Sequence, residues 1–201
     1  LNTEFERIEL ADADLIYWPN FIEPHLAQGY FEALKENIQW QSETIRIAGI
    51  ERLVPRLTAW YGEPEASYVY SGIKHQPVAW TQQLRKLREL VQQALIRQDR
   101  SFKGNLEQEG LLFNSALCNL YRNGQDSVAW HADNEPELGS RPVIASLSLG
   151  STRTFQLKHK TKKLRHKMSL TSGSLLIMQG AMQHHWLHQV PKESAVSESR
   201  I

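Results

Sequence analysis

Cysteine is almost missing from this chain. Cys118 stands alone among 201 residues, so no disulfide framework can form and a reducing compartment is the natural setting. Long apolar runs are missing too: nothing approaches the roughly 18 residues that a membrane span needs, and no charged-then-apolar leader opens the chain. The absence of internal repeats and low-complexity stretches removes repeat architectures. Charge of one sign is not in excess, since 23 Lys and Arg face 22 Asp and Glu for a net +1; the balance by itself says nothing about partners. No Ser/His/Asp hydrolase arrangement is evident, and Ser146 and Ser148 read as polar strand residues. What remains is an ordinary globular composition, 41% hydrophobic and 22% charged, in a length that suits one domain. The expectation is a monomer with no membrane attachment, cytoplasmic, or nuclear in a eukaryote. Because the chain opens at Leu1 without methionine and stops at Arg200-Ile201, it reads as a fragment with a truncated C-terminus.

Hydrophobic spacing sketches the elements. Residues 4–19 read as two short strands with a turn at 11–14. Glu23-Pro24 opens a helix whose Leu26, Tyr30, Leu34 and Ile38 repeat at helical spacing to about Asn37. Residues 43–60 read as strands and a hairpin. A second helix runs from Pro77 to about Gln98 with Trp80, Leu84, Leu87, Val91 and Leu95 on one stripe. From Leu111 the texture becomes short strands, near 113–122, 127–131, 143–149, 153–159, 165–170, 174–179 and 183–190. Asn123-Gly124 reads as a hairpin turn pairing the first two of these. Two helices followed by many strands predict an α+β protein: a jelly roll with two supporting helices in the N-terminal half, divided into residues 1–110 and a β-core of 111–201.

Chemistry concentrates at Trp130-His131-Ala132-Asp133. Side chains two apart on a strand share a face, so His131 and Asp133 can reach one point. An imidazole and a carboxylate so placed are two-thirds of the 2-His-1-carboxylate set that holds non-haem Fe(II). The run Gln183-His184-His185-Trp186-Leu187-His188 supplies candidates for the third ligand. Against this stands the bland reading of two half-buried histidines and an aspartate that opens a turn. Asn119 and Tyr121, also two apart, point an amide and a phenol toward one pocket.

These residues lie in an ordered set: Tyr61-Gly62, Asn119-x-Tyr121, His131-x-Asp133-x-Glu135, Arg141-Pro142, Arg153-x-Phe155, Gly173-Ser174-Leu175-Leu176, Trp186-x-His188 and Arg200. The set resembles the AlkB family of Fe(II)/2-oxoglutarate-dependent nucleic-acid dealkylating dioxygenases, closest to the animal-type members that act on DNA. The resemblance spans roughly residues 45 to 201 and implies a double-stranded β-helix. It implies that His131, Asp133 and His188 hold Fe(II), with His184 and His185 as alternatives for the third ligand. It also implies that Asn119 and Tyr121 contact 2-oxoglutarate and that Arg200 pairs with the distal carboxylate, a bidentate task suited to guanidinium. The family pattern carries a further arginine beyond Arg200, whereas this chain ends at Ile201.

The implied reaction uses O₂ to demethylate bases such as 1-methyladenine or 3-methylcytosine in DNA, or in RNA, releasing formaldehyde. The alternative is a hydroxylase or demethylase of the same fold acting on a protein, lipid or small molecule; a non-enzymatic module that binds zinc, RNA or protein is a further rival. The resemblance sets Tyr68 and Tyr70 as a lid, Tyr70 stacking on a flipped base and Glu135 near its polar edge. A methylated cationic base favours an electron-rich ring and a carboxylate, and costs less to extrude than an intact pair. A core tyrosine pair and a solvated loop charge are the competing readings. The basic run Lys158–Lys167, with Lys160, reads as a phosphate-contacting loop or as a solvated hairpin tip, and Arg56 and Arg153 are weaker candidates for the same work. Ile47-Ala48-Gly49 occupies the place of a duplex wedge; Ala48 is small, so single-stranded substrate is the expectation.

Overall fold

The computed structural model describes residues 4–47, 50–70, 73–99 and 112–201. The chain divides into two compact units, one of residues 1–58 with 119–201 and one of residues 59–118.

The first unit contains two four-stranded sheets. One is ordered β1-β2-β13-β10, from Glu6–Leu10, Ala13–Trp18, Ser174–Gln179 and Ile144–Ser148. The other is ordered β12-β11-β14-β9, from Arg165–Leu170, Arg153–His159, Trp186–Val190 and Val128–His131. Every pairing within them is antiparallel. Strand alternation turns Leu15, Tyr17, Leu176 and Met178 of the first sheet toward Phe155, Leu157, Leu170, Trp186 and Val190 of the second, and these form one buried cluster. Burial of each such side chain is worth about 1.5–3 kcal/mol. The N-terminal hairpin β1-β2 is therefore part of the β-core, so a division at residue 110 does not describe this fold. β2 earns its place by pairing with β13 along Leu15↔Met178 to Trp18↔Leu175.

Helix α1, Pro24–Asn37, begins with proline in its first turn and buries Ala27, Phe31 and Leu34 at helical spacing. Gly173, in the turn between β12 and β13, has φ +78° and lets the backbone close on Ile22: a Cβ there would lie 2.3 Å from the Ile22 carbonyl oxygen. A small hairpin of β3 (Thr44–Ile47) and β4 (Ile50–Leu53) completes this unit.

In the second unit, α2 (Gln82–Gln98) is capped by the Thr81 hydroxyl, which accepts from Leu84 N–H at 3.2 Å. The helix starts five residues later than the sequence suggests, because the capping threonine, not Pro77, sets its origin. Its buried stripe is Leu84, Leu87, Val91 and Leu95, as expected. Arg88 lies 4.6 Å from the centre of the Trp80 ring and pairs with Glu63 at 2.7 Å. Strands β5 (Leu57–Gly62) and β8 (Ser115–Leu120) form a two-stranded sheet, as do β6 (Tyr68–Tyr70) and β7 (Ile73–His75).

Two expectations are corrected. β8 and β9 are not a hairpin, since β8 pairs with β5 and β9 with β14. The connection is instead clamped by Arg122, whose Nε and backbone N–H donate to Asp126 Oδ2 at 2.7 and 2.9 Å. Gly124 is needed there for room: a Cβ would fall 1.8 Å from the Glu193 carbonyl oxygen. Residues 183–185 are not strand either. Met182–His185 forms a helical turn, α3, and β14 begins only at Trp186.

Candidate metal centre

His188 lies in β14 and His131 ends β9, directly opposite it in register. Asp133 follows in the loop beyond β9. Its backbone N–H donates to Gln183 Oε1 at 3.0 Å, which ties the loop to α3. The three ligand-bearing groups converge: one donor atom from each lies within 4.8 Å of the other two. Asp133 Oδ1 is 3.7 Å from His131 Nε2, and Oδ2 is 3.5 Å from His188 Nε2. Ligand bonds of about 2.1 Å allow two donors on one ion to be at most about 4.2 Å apart, so both separations suit a single ion.

The electrostatics suit a cation as well. His131 Nδ1 lies 2.8 Å from the Ala129 carbonyl oxygen; the proton belongs on that nitrogen, leaving the Nε2 lone pair toward Asp133. Burial, reinforced by His131, pushes His188 down to about 3, so its imidazole is neutral at ordinary pH. Phe155, whose ring centre is 5.4 Å away, helps to shield it from water. Burial raises the Asp133 carboxyl above its usual range; His131 opposes this and Glu135 adds to it. A bound cation reverses that penalty, and a half-buried carboxylate beside two imidazoles is the donor set for one.

Within the first unit, Tyr121 and Arg200 form an antiparallel bridge: Tyr121 N–H donates to the Arg200 carbonyl at 2.8 Å and Arg200 N–H to that of Tyr121 at 2.9 Å. Arg200 is 5% exposed, donates through Nη2 to Ser148 Oγ at 2.8 Å, and leaves Nε buried without a partner. No carboxylate pairs with it among the described residues, and burial lowers its affinity for the proton. A buried guanidinium with an orphaned donor fits the carboxylate of a keto acid. The Tyr121 ring lies 5.3 Å from this guanidinium, and Asn119 Oδ1 accepts from Arg56 Nε at 2.6 Å.

Other expected residues fall elsewhere. Arg153 is corrected as a nucleic-acid contact: at 1% exposure its guanidinium is consumed by Glu193 at 2.9 Å and by the carbonyls of Asn123, Asp126 and Pro191. His184 bonds the Ser140 carbonyl, and His185 stacks on His159 with ring centres 5.8 Å apart, so neither joins the triad. Glu135 is exposed ahead of a 3₁₀ turn at Pro136–Leu138. Lys160 donates to the Gln183 carbonyl at 2.8 Å. The side chains of Ile47, Tyr68 and Tyr70, and residues Ala48 and Gly49, lie outside the described residues. Gln183, which steadies the Asp133 loop, was not expected; a glutamine has no spacing pattern that would have marked it.

A second convergence, Asp12, His159 and His185, does not suit a metal. His159 Nδ1 accepts backbone N–H bonds from Thr161 at 3.2 Å and Lys162 at 3.0 Å, so the ring proton sits on Nε2 and goes to Asp12 at 3.1 Å. The Lys162 ammonium, which also pairs with Asp12, and then His159 hold that carboxyl below its usual range. This group is a clamp between the two sheets.

The chain belongs to the 2OG-Fe(II) oxygenase superfamily, whose family model matches residues 14–200. It is 41% identical over 194 residues to human alpha-ketoglutarate-dependent dioxygenase alkB homolog 3, covering 92% of this chain and 62% of that protein. It is 32% identical over 215 residues to the DNA oxidative demethylase ALKBH2 of Arabidopsis thaliana, covering 94% of this chain and 64% of that one. The chain thus spans about three-fifths of the length of these relatives. The solved structure of OsALKBH1 has the same fold, with a TM-score of 0.60 at 15% identity over 94% of this chain and 88% of that one. The resemblance to AlkB proteins is therefore shown, and the superfamily implies Fe(II), 2-oxoglutarate and O₂.

Proposed function

We propose that this chain is an oxidative demethylase for N-alkylated bases such as 1-methyladenine and 3-methylcytosine in DNA, with RNA as the alternative polymer. The observation that carries this reading is the convergence of His131, Asp133 and His188 on one point. The two sheets of the first unit are read as the superfamily's double-stranded β-helix. His131 Nε2, His188 Nε2 and the Asp133 carboxylate would hold Fe(II); Arg200 would take the distal carboxylate of 2-oxoglutarate, with Asn119 and Tyr121 contacting the same molecule. When bound, iron and 2-oxoglutarate let O₂ decarboxylate the keto acid to succinate and CO₂ and hydroxylate the N-methyl carbon, after which formaldehyde leaves. The chain's own work is then binding, orientation and exclusion of water. Tyr68 and Tyr70 are assigned to the flipped base, Glu135 to its polar edge, and Lys160 and Arg56 to the strand; these roles rest on the AlkB likeness.

Anaerobic addition of Fe(II) and 2-oxoglutarate should produce a weak visible charge-transfer band that is lost in His131→Ala. A methylated oligonucleotide should then release formaldehyde in air. Absence of the band overturns the metal assignment. A band with 2-oxoglutarate turnover but no formaldehyde from methylated DNA or RNA overturns the substrate and favours a hydroxylase of other molecules.

A further inference from the structure

The sheet that carries the triad has a second face. Along β11 and β14, Phe155, Leu157, Trp186, His188 and Val190 are buried, while Gln156, Lys158, Leu187 and Gln189 alternate with them and reach the other side. In register, Lys167 stands opposite Gln156, which stands opposite Gln189; one row along, Arg165 stands opposite Lys158, which stands opposite Leu187. Trp130, half-buried beside His131, closes the row, with Lys158 Nζ 4.6 Å from its ring centre. A concavity of about 200 Å³ lies here, lined by Trp130, Gln156, Arg165 and Lys167 among others.

Two features of this face oppose the protein's own stability. Like charges directly across an antiparallel pair repel, yet Lys158 faces Arg165. None of Lys158, Arg165 and Lys167 has an acidic partner among the described residues, and Glu193, which bonds Thr154 on the same strand, is already committed to Arg153. Concentrated positive charge without an internal counterion, set around an indole, matches a ligand that alternates phosphates with flat rings. Single-stranded nucleic acid has that chemistry: a basic groove tracks the backbone and an aromatic ring takes a base.

We propose that this outer face, centred on Trp130 with Lys158, Arg165 and Lys167, is a second contact for single-stranded nucleic acid, separate from the triad on the inner face. The proposal rests on the nucleic-acid substrate proposed above, because a strand that threads past the outer face would extend the grip on a polymer whose target base sits inside. The cations and the ring carry no base-sequence information, and the Gln156 and Gln189 amides on this face are bonded to each other, Gln189 Nε2 donating to Gln156 Oε1 at 2.7 Å.

The test is binding of a fluorescently labelled, unmodified 16-mer of thymidylate to the full chain, without metal, across a range of salt concentrations. Loss of three phosphate contacts in Lys158→Gln/Arg165→Gln/Lys167→Gln should lower the slope of log K against log salt by about 2, at about 0.7 per contact. Trp130→Ala should weaken binding about tenfold and Trp130→Phe should restore most of it. Because the triple variant relieves cross-strand repulsion, its melting temperature should not fall. Unchanged slope and affinity in the triple variant overturn the proposal. So does preferential binding of polyglutamate or of phosphatidylserine vesicles, which would make the partner an acidic chain or a membrane. Formaldehyde release by the wild type from a short methylated trinucleotide, measured alongside, reports on the demethylase reading alone.

Discussion

Replacing Arg153 gives the sharpest test of how this fold is held. Its guanidinium ties β11 to two segments that are distant in sequence: the turn after β8 through the carbonyls of Asn123 and Asp126, and the chain after β14 through the Pro191 carbonyl and the Glu193 carboxylate. Glu193 also accepts from Thr154 N–H at 3.0 Å and from the Thr154 hydroxyl. Burial pushes the Glu193 carboxyl up, but bonds from Thr154 and Arg153 together outweigh it and hold the group below its usual range. Arg153→Met leaves a carboxylate and three carbonyls without their donor. Removing one member of a buried pair costs about 3–5 kcal/mol, which at a urea slope of about 2 kcal/mol per molar lowers the unfolding midpoint by about 2 M. Glu193→Gln should cost less, since the three carbonyl bonds survive, and the double variant should lose less than the sum because the two share one interaction. Urea unfolding followed by circular dichroism reads all three. A variant within about 0.5 kcal/mol of wild type, but with weaker salt dependence of nucleic-acid binding, would refute the structural role and return Arg153 to the surface.

Other expectations concern single contacts. Asp126 is held below its usual range by Arg122, so its contribution is complete above the unfolded value of 3.8 and lost as pH falls through the lower folded value; Asp126→Asn should destabilise at neutral pH and flatten the acid limb of a pH–stability curve. Gly124→Ala drives a Cβ into backbone at Glu193 and Val196 and should cost about 3 kcal/mol in thermal or urea unfolding. Gln183→Leu frees the Asp133 loop and should weaken Fe(II) binding about tenfold in the anaerobic titration, while Gln183→Glu, which keeps an acceptor, should retain more. Burial pushes the Cys118 thiol up to about 12, so iodoacetamide should label it only after unfolding; rapid labelling of the native protein would contradict its burial.

Two strands were legible to the residue for different reasons: Arg153–His159 alternates from Phe155 onward, which records which side is dry, and Ser174–Gln179 is a short apolar run, buried from Ser174 to Met178 and bounded by the turn residues Gly173 and Gly180. Pairing was not. Asn123-Gly124 carries the composition of a hairpin turn, but its glycine answers to the crowding of Glu193 and Val196, some 70 residues downstream, which no local pattern contains. The ligand pair was legible through its two-residue spacing, although Asp133 sits beyond the strand and owes its place to Gln183. His184 and His185, the alternatives for the third ligand, fall away for the opposite reason: a single helical turn removes them from the alternation that His188 obeys. Arg153 looked like a surface cation since its counterion lies 40 residues away in sequence.

The triad is mounted unevenly. His188 rides on β14, flanked on both sides by β11 and β9, whereas His131 closes an outer strand and Asp133 hangs on the loop beyond, steadied by one glutamine. One member is bolted to the frame and two are on the gate. Whatever loosens this end of the protein will first swing the gate, so amide exchange should quicken at His131 and Asp133 long before it reaches His188.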